Sequence, residues 1–134
     1  PNELELMLEL AKNQNYDLVF GSRYEKNSTS EDDTVITYVG NKIFSFIGKF
    51  FFSLPITDIL YTYVLGKTEE VNKLNLVSKD FCFCVELPIK AAKKKLTLIS
   101  VPANERKRIA GKKKVNAFRD GLKILISMIV LKLN

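Results

Sequence analysis

The chain contains no histidine. That excludes Ser-His-Asp triads, Cys-His nucleophiles and histidine-ligated metal. Cysteine is nearly as scarce, with only Cys82 and Cys84 present. A lone C-x-C without a second pair or a histidine is a poor zinc site, so both read as small hydrophobes near an apolar helix start. Two close cysteines make no secreted disulfide framework, and the default is a reducing, cytosolic side. Long apolar runs are also missing. The longest, Leu122 to Leu133, carries Lys123 and Lys132 and falls short of the roughly 20 residues that a spanning helix needs. No signal peptide, internal repeat or linker that would divide two domains is visible in these residues. Pro1 stands where a start methionine would, so the sequence reads as a piece of a longer chain.

What is present suits one globular domain or part of one: 134 residues, 46% hydrophobic and 27% charged. The net charge of +6 is unevenly spread. Arg106, Lys107, Arg108, Lys112, Lys113 and Lys114 crowd one stretch, and Lys90, Lys93, Lys94 and Lys95 form another. Such groups attract anions: phosphates, nucleic acid or an acidic membrane face. Alternatively they are a solvated, lysine-rich surface.

Periodicity places the elements. Asn2 with Glu5 forms a capping-box pattern for an amphipathic helix ending near Asn13 to Asn15. Asp17 to Phe20 reads as a buried strand stopped by Gly21-Ser22, followed by a polar loop from Arg23 to Asp33. Thr37 to Ser53 reads as a helix with one narrow polar seam of Lys42, Ser45, Lys49 and Ser53. A helix this apolar is sunk in a core or lies on a membrane. Pro55 ends it. A strand from Tyr61 to Leu65 and a short helix from Thr68 to Leu74 follow. Phe81 to Lys95 is helical, with Glu86 and Lys90 paired at i, i+4 and Pro88 implying a kink or a start nearer Val85. Leu96 to Val101 is a strand, Glu105 to Lys114 a basic loop or ragged strand, and Asn116 to Leu133 a last helix. The order is α/β in style, but the strands are too few for a covered parallel sheet of usual size, as in half a domain.

Several segments, in order, resemble the second half of the family 2 glycosyltransferases, above all the polyprenyl-phosphate and dolichol-phosphate sugar synthases and their soluble bacterial relatives. Pro1-Asn2-Glu3 resembles the element that opens the helix after the family's metal-binding aspartates. Gly21-Ser22-Arg23-Tyr24 resembles the G-S-R-Y/F turn, and Asn41 to Leu54 followed by Thr57-Asp58 the long helix and its S/T-D element. Phe83-Cys84-Val85-Glu86 is similar to F-x-x-E. Val101-Pro102, Glu105 to Arg108 and Gly111 resemble V-P-x-x-E-R-x-R-x-x-G, and Arg119-Asp120-Gly121-Leu122 the R-D-G-L/W helix. The chain departs from the pattern at Leu60 to Val64, where many relatives carry T-S-G-F-R, and at Lys113, where serine is usual.

The resemblance implies a partial GT-A, Rossmann-like fold: the C-terminal, acceptor-side half of one catalytic domain. It implies a transferase moving a sugar from a nucleotide-sugar donor to a lipid-phosphate or glycan acceptor, inactive without its donor half. A divalent metal, Mg or Mn, would be held by aspartates upstream of Pro1. Asp58 would position the acceptor or act as its base, and Glu86 would be a positioning carboxylate nearby. Arg23, Arg106, Arg108 and Lys114 would contact phosphate, with Gly111 letting the loop fold over a ligand. The expected location is the cytoplasmic membrane face, with the last helix lying in the membrane plane or packing on the missing half. The competing reading is a basic, non-catalytic module for a membrane surface or nucleic acid. The second basic cluster has no interleaved aromatics for base stacking, so nucleic acid is not the expected partner.

Overall fold

In the computed structural model the chain is mixed α/β, and the structure describes residues 2–25, 28–31, 34–105, 109–111 and 117–134. Helix α1 (Asn2–Asn13) is followed by β1 (Leu18–Ser22) and β2 (Thr29–Ser30). Next come α2 (Val35–Phe52), β3 (Val64–Gly66), α3 (Thr68–Asn72) and α4 (Phe83–Lys93). Strands β4 (Leu98–Pro102) and β5 (Asn104–Glu105) and helix α5 (Ala117–Leu133) complete it. The main sheet has three strands in the order β3-β1-β4, antiparallel between β1 and β3 and parallel between β1 and β4. Strands β2 and β5 pair in parallel as a separate ribbon.

The central strand β1 is buried throughout, and its alternation divides the core. Val19 packs with Met7, Leu10 and Val101 under α1. Leu18 and Phe20 face the larger core, built from α4, α5 and the segment after α2, including Leu54, Ile59, Val85, Ile89 and Met128. At Gly21 the residue just before β3 comes close. A Cβ there would lie 2.8 Å from the Tyr63 ring, and the Gly21 N–H donates to the Tyr63 carbonyl at 2.7 Å.

Thr34 and Thr37 form a reciprocal cap at the start of α2, and Ser53 ends it in the left-handed conformation at φ 55°. Its orientation differs from a simple core helix. The buried residues are Asn41, Ser45 and Gly48, while Phe46 and Phe50 are 65% and 70% exposed. Close approach explains this: a Cβ on Gly48 would lie 2.9 Å from Leu54 Cδ1, so the small side of the helix meets the core. Helix α4 runs unbroken from Phe83 with Pro88 buried inside it, so it starts two residues before Val85.

Candidate functional site

Strands β1 and β4 run parallel, and their carboxyl ends lie side by side, with Ser22 in register with Pro102. Ligand sites in α/β sheets collect at such ends. Here four stretches distant in sequence converge: the Ser22-Arg23-Tyr24 turn, Asn41 on α2, the Thr57-Asp58 segment and Glu105 on β5.

Arg23 and Asp58 are the hub. Asp58 Oδ2 accepts from the Arg23 backbone N–H at 2.9 Å and from Nε at 2.8 Å, and Oδ1 accepts from Nη2 at 2.9 Å. Asn41 Nδ2 donates to the same Oδ1. The Asp58 side chain is fully buried. A carboxylate offers about four lone-pair sites, so these donors fill it. The third side of the guanidinium is taken by Glu105, whose Oε2 accepts from Arg23 Nη1 at 2.7 Å and from Ser30 Oγ at 2.9 Å. Burial works against the Arg23 charge, but the bonds to Asp58 and Glu105 more than offset it and raise its pKa above the usual arginine value. The guanidinium also lies over the Tyr61 ring at 4.7 Å and the Tyr24 ring at 5.3 Å.

Asn41 ties this hub to its helix. Its Oδ1 accepts from the Leu60 N–H at 3.2 Å and from Ser45 Oγ at 3.3 Å, and Ser45 Oγ in turn accepts from the Ile59 N–H at 3.1 Å. The inward side of α2 therefore holds residues 58–60 in place. The hydroxyls of Ser22 and Thr57 lie 2.6 Å apart, and the Tyr24 N–H donates to Ser22 Oγ. Thr57 Oγ1 donates to Glu25 Oε1 at 3.0 Å.

Beside the hub opens a cleft of about 350 Å³ lined by Arg23, Tyr24, Ser28, Ser30, Thr34 and Tyr38, among others. Lys42 reaches over its aromatic wall, with Nζ 4.8 Å from the Tyr24 ring centre and 5.6 Å from that of Tyr38. Cations, hydroxyls and aromatic faces together suit a phosphorylated or hydroxyl-rich ligand.

The residues singled out in the sequence fare differently. Arg23 and Asp58 come together. Their mutual pairing takes up most of the chemistry expected of each, a phosphate grip for Arg23 and a free base for Asp58. Glu86 goes elsewhere. Its carboxylate accepts from the Val77 and Ser78 N–H groups at 3.0 and 2.9 Å and pairs with Lys90 at 2.9 Å. Its described bonds run to the segment before α4 and to Lys90 within it, and not to Asp58. Burial would push the Glu86 carboxyl up, but the Lys90, Ser78 and Val77 bonds win and hold it below the usual value. Arg106, Arg108 and Lys114 lie outside the described residues. Gly111 adopts φ 86°, the left-handed conformation that glycine permits. Sequence reasoning missed Asn41 and Glu105 as parts of the hub. The available signal was the spacing of Asn41 and Ser45, four apart on one side of α2.

Among the described residues no group of three or more histidine, cysteine, aspartate or glutamate side chains is placed to hold a metal ion. Burial pushes the Cys84 thiol up to about 12, and burial and Asp80 also raise Cys82, so neither presents a thiolate. No protein-family model matches the chain, and no curated protein or solved structure matches it either.

Proposed function

We propose that this chain is the acceptor-side part of a family 2 glycosyltransferase of partial GT-A fold. Complete, it moves a sugar from a nucleotide-sugar donor to a lipid-phosphate or other acceptor. The observation that carries the reading is the convergence on the Arg23–Asp58 pair. Three of the segments that carry the resemblance, Gly21 to Tyr24, Thr57-Asp58 and the stretch opening at Val101, are as many as 82 residues apart, and they meet at one end of the parallel strands.

Within this reading the hub is a positioning device. Asp58 holds Arg23, and Arg23 holds Glu105. Preorganised positive charge stabilises the charge on a phosphorylated ligand at no reorganisation cost during reaction. Lys42, over the Tyr24 and Tyr38 rings, supplies that charge beside the cleft, and Ser28, Ser30 and Thr34 supply hydroxyl oxygens on its wall. Arg106, Arg108 and Lys114 are proposed as further phosphate contacts. A divalent Mg or Mn is part of this proposal for the complete enzyme; no group placed to hold it stands among the described residues.

The test is sugar transfer by the chain joined to its upstream sequence. Radiolabelled sugar should pass from a nucleotide-sugar to polyprenyl phosphate, and the upstream sequence should carry a D-x-D pair behind a strand. An upstream sequence without that pair, together with no transfer from any common nucleotide-sugar, overturns the proposal.

A further inference from the structure

The Arg23 guanidinium is held on two sides by carboxylates of unlike setting. Its Nε and Nη2 are bound to Asp58, whose side chain is fully buried, and the Arg23 backbone N–H is bound there as well. Its Nη1 is bound to Glu105, whose side chain is 22% exposed. Separating Asp58 from its arginine would strand a desolvated charge, whereas Glu105 can swing into solvent at little cost. The first contact anchors the arginine, and the second can be exchanged.

The exchangeable carboxylate sits where an incoming anion would go. Arg23 and Ser30 both line the cleft. Glu105 Oε2 bridges them, accepting from Arg23 Nη1 at 2.7 Å and from Ser30 Oγ at 2.9 Å. A guanidinium N–H and a hydroxyl aimed at one oxygen make a donor pair that a phosphate oxygen can take. With Glu105 in place, the hub sets one arginine against two carboxylates, and its excess negative charge repels an anion. With Glu105 turned away, Asp58 still holds Arg23 in position, and Nη1 is left for a ligand.

The same carboxylate ties the β2–β5 ribbon across its strands. Each strand is two residues long, with Ser30 in register with Glu105, and the Glu31 N–H donates to the Glu105 carbonyl at 2.9 Å. A ribbon this short has little stability of its own, so the side-chain bond from Ser30 to Glu105 supports it.

We propose that Glu105 is an internal competitor for the anion subsite between Arg23 and Ser30: a phosphate group enters by displacing this carboxylate and loosens the β2–β5 ribbon as it does. This rests on the phosphate-ligand reading of the cleft and adds its regulation. A ligand that must displace a resident group binds more weakly in proportion to the fraction of molecules in which the subsite is open.

The test is calorimetric titration of the chain with inorganic pyrophosphate and, separately, with butyl phosphate, in the absence of any sugar donor. Glu105→Gln keeps the shape of the residue and removes its charge. It should bind the better of the two phosphates about tenfold more tightly than wild type does. A preference for pyrophosphate assigns the subsite to the diphosphate of a nucleotide, and a preference for butyl phosphate assigns it to a lipid phosphate; the gain in Glu105→Gln supports the competitor in either case. Glu25→Gln removes a nearby carboxylate whose described side-chain bond runs to Thr57, and should change affinity by less than about threefold. In the wild-type chain, saturating phosphate should speed hydrogen exchange at the Glu31 amide. Equal phosphate binding by wild type and Glu105→Gln overturns the competitor and leaves the phosphate reading standing, whereas no phosphate binding by either protein overturns both. Glu31 exchange unaltered by saturating phosphate also overturns the displacement, and that measurement needs no variant.

Discussion

Arg23 and Asp58 are joined by three hydrogen bonds, one from the Arg23 backbone and two from its guanidinium, across 35 residues of sequence. The carboxylate is fully buried and the guanidinium nearly so. In water such a pair is worth little. Here, removing one partner strands a desolvated charge, which costs far more than the pair contributes.

Arg23→Ala should therefore destabilise the fold by roughly 3–5 kcal/mol. Arg23→Ala/Asp58→Ala should cost clearly less than the sum of the two single changes, because the double variant strands no fully buried charge and leaves only the part-exposed Glu105 without its arginine. Urea denaturation of the four proteins gives the coupling directly. Additive losses would mean that the two side chains do not share a bond.

Asn41→Leu removes the donor to Asp58 and the acceptor for Leu60 and Ser45 in one step. A loss of about 1–3 kcal/mol is expected, the cost of leaving buried polar groups unsatisfied. Thermal unfolding should show it, and Lys42→Leu, next in sequence but exposed, should cost no more than about 1 kcal/mol, the worth of its contacts over the Tyr24 and Tyr38 rings.

Glu86 gives the fold an acid sensitivity of known sign. Its folded carboxyl is held below the ordinary glutamate value by Lys90 and two backbone N–H groups, against the opposing effect of burial. The unfolded chain binds the proton more readily, so this stabilisation is present above the ordinary glutamate pKa. It fades as pH falls through the lower, folded value. Stability measured from pH 7 downward should drop in that acid window, and Glu86→Gln should flatten that part of the curve while lowering stability at pH 7. An unchanged acid limb in Glu86→Gln would show that other carboxylates carry it.

Cys84 is buried, its thiol pushed up to about 12. Alkylation of the native chain at pH 8 should modify Cys84 no faster than global unfolding allows, and urea should release it. Rapid native labelling of Cys84 would contradict its place in the core.

Much of the fold was legible because its main elements carry their own periodicity. Helix α1 ends where expected, with Asn15 in the left-handed conformation at φ 60°. Strand β1 extends through Gly21 and Ser22, two residues past the expected stop, because pairing with β4 continues to Pro102. The two-residue strands β2 and β5 had no readable period. Strand β3 was expected at Tyr61 to Leu65 but forms at Val64–Gly66. The site claims the earlier residues: the Tyr61 ring packs on Arg23 and its N–H donates to the Asp58 carbonyl. The side of α2 that turns inward was hidden for a related reason. Hydrophobicity favours burying phenylalanine, but Gly48, Ser45 and Asn41 allow the closer approach and carry the bonds to residues 58–60. Arg23 and Asp58 were legible as single residues, through the motifs they sit in. That they bind each other depends on the strand ends being neighbours, a tertiary fact that no local pattern encodes.

The most direct measurement is steady-state sugar transfer to polyprenyl phosphate by the chain joined to its upstream sequence, comparing wild type with Asp58→Asn and Arg23→Lys. A neutral amide at residue 58 cannot hold the guanidinium charge, and lysine cannot make the two-pronged contact. The account predicts at least a hundredfold fall in kcat/KM for each variant with circular dichroism retained. Wild-type turnover by both variants would contradict it.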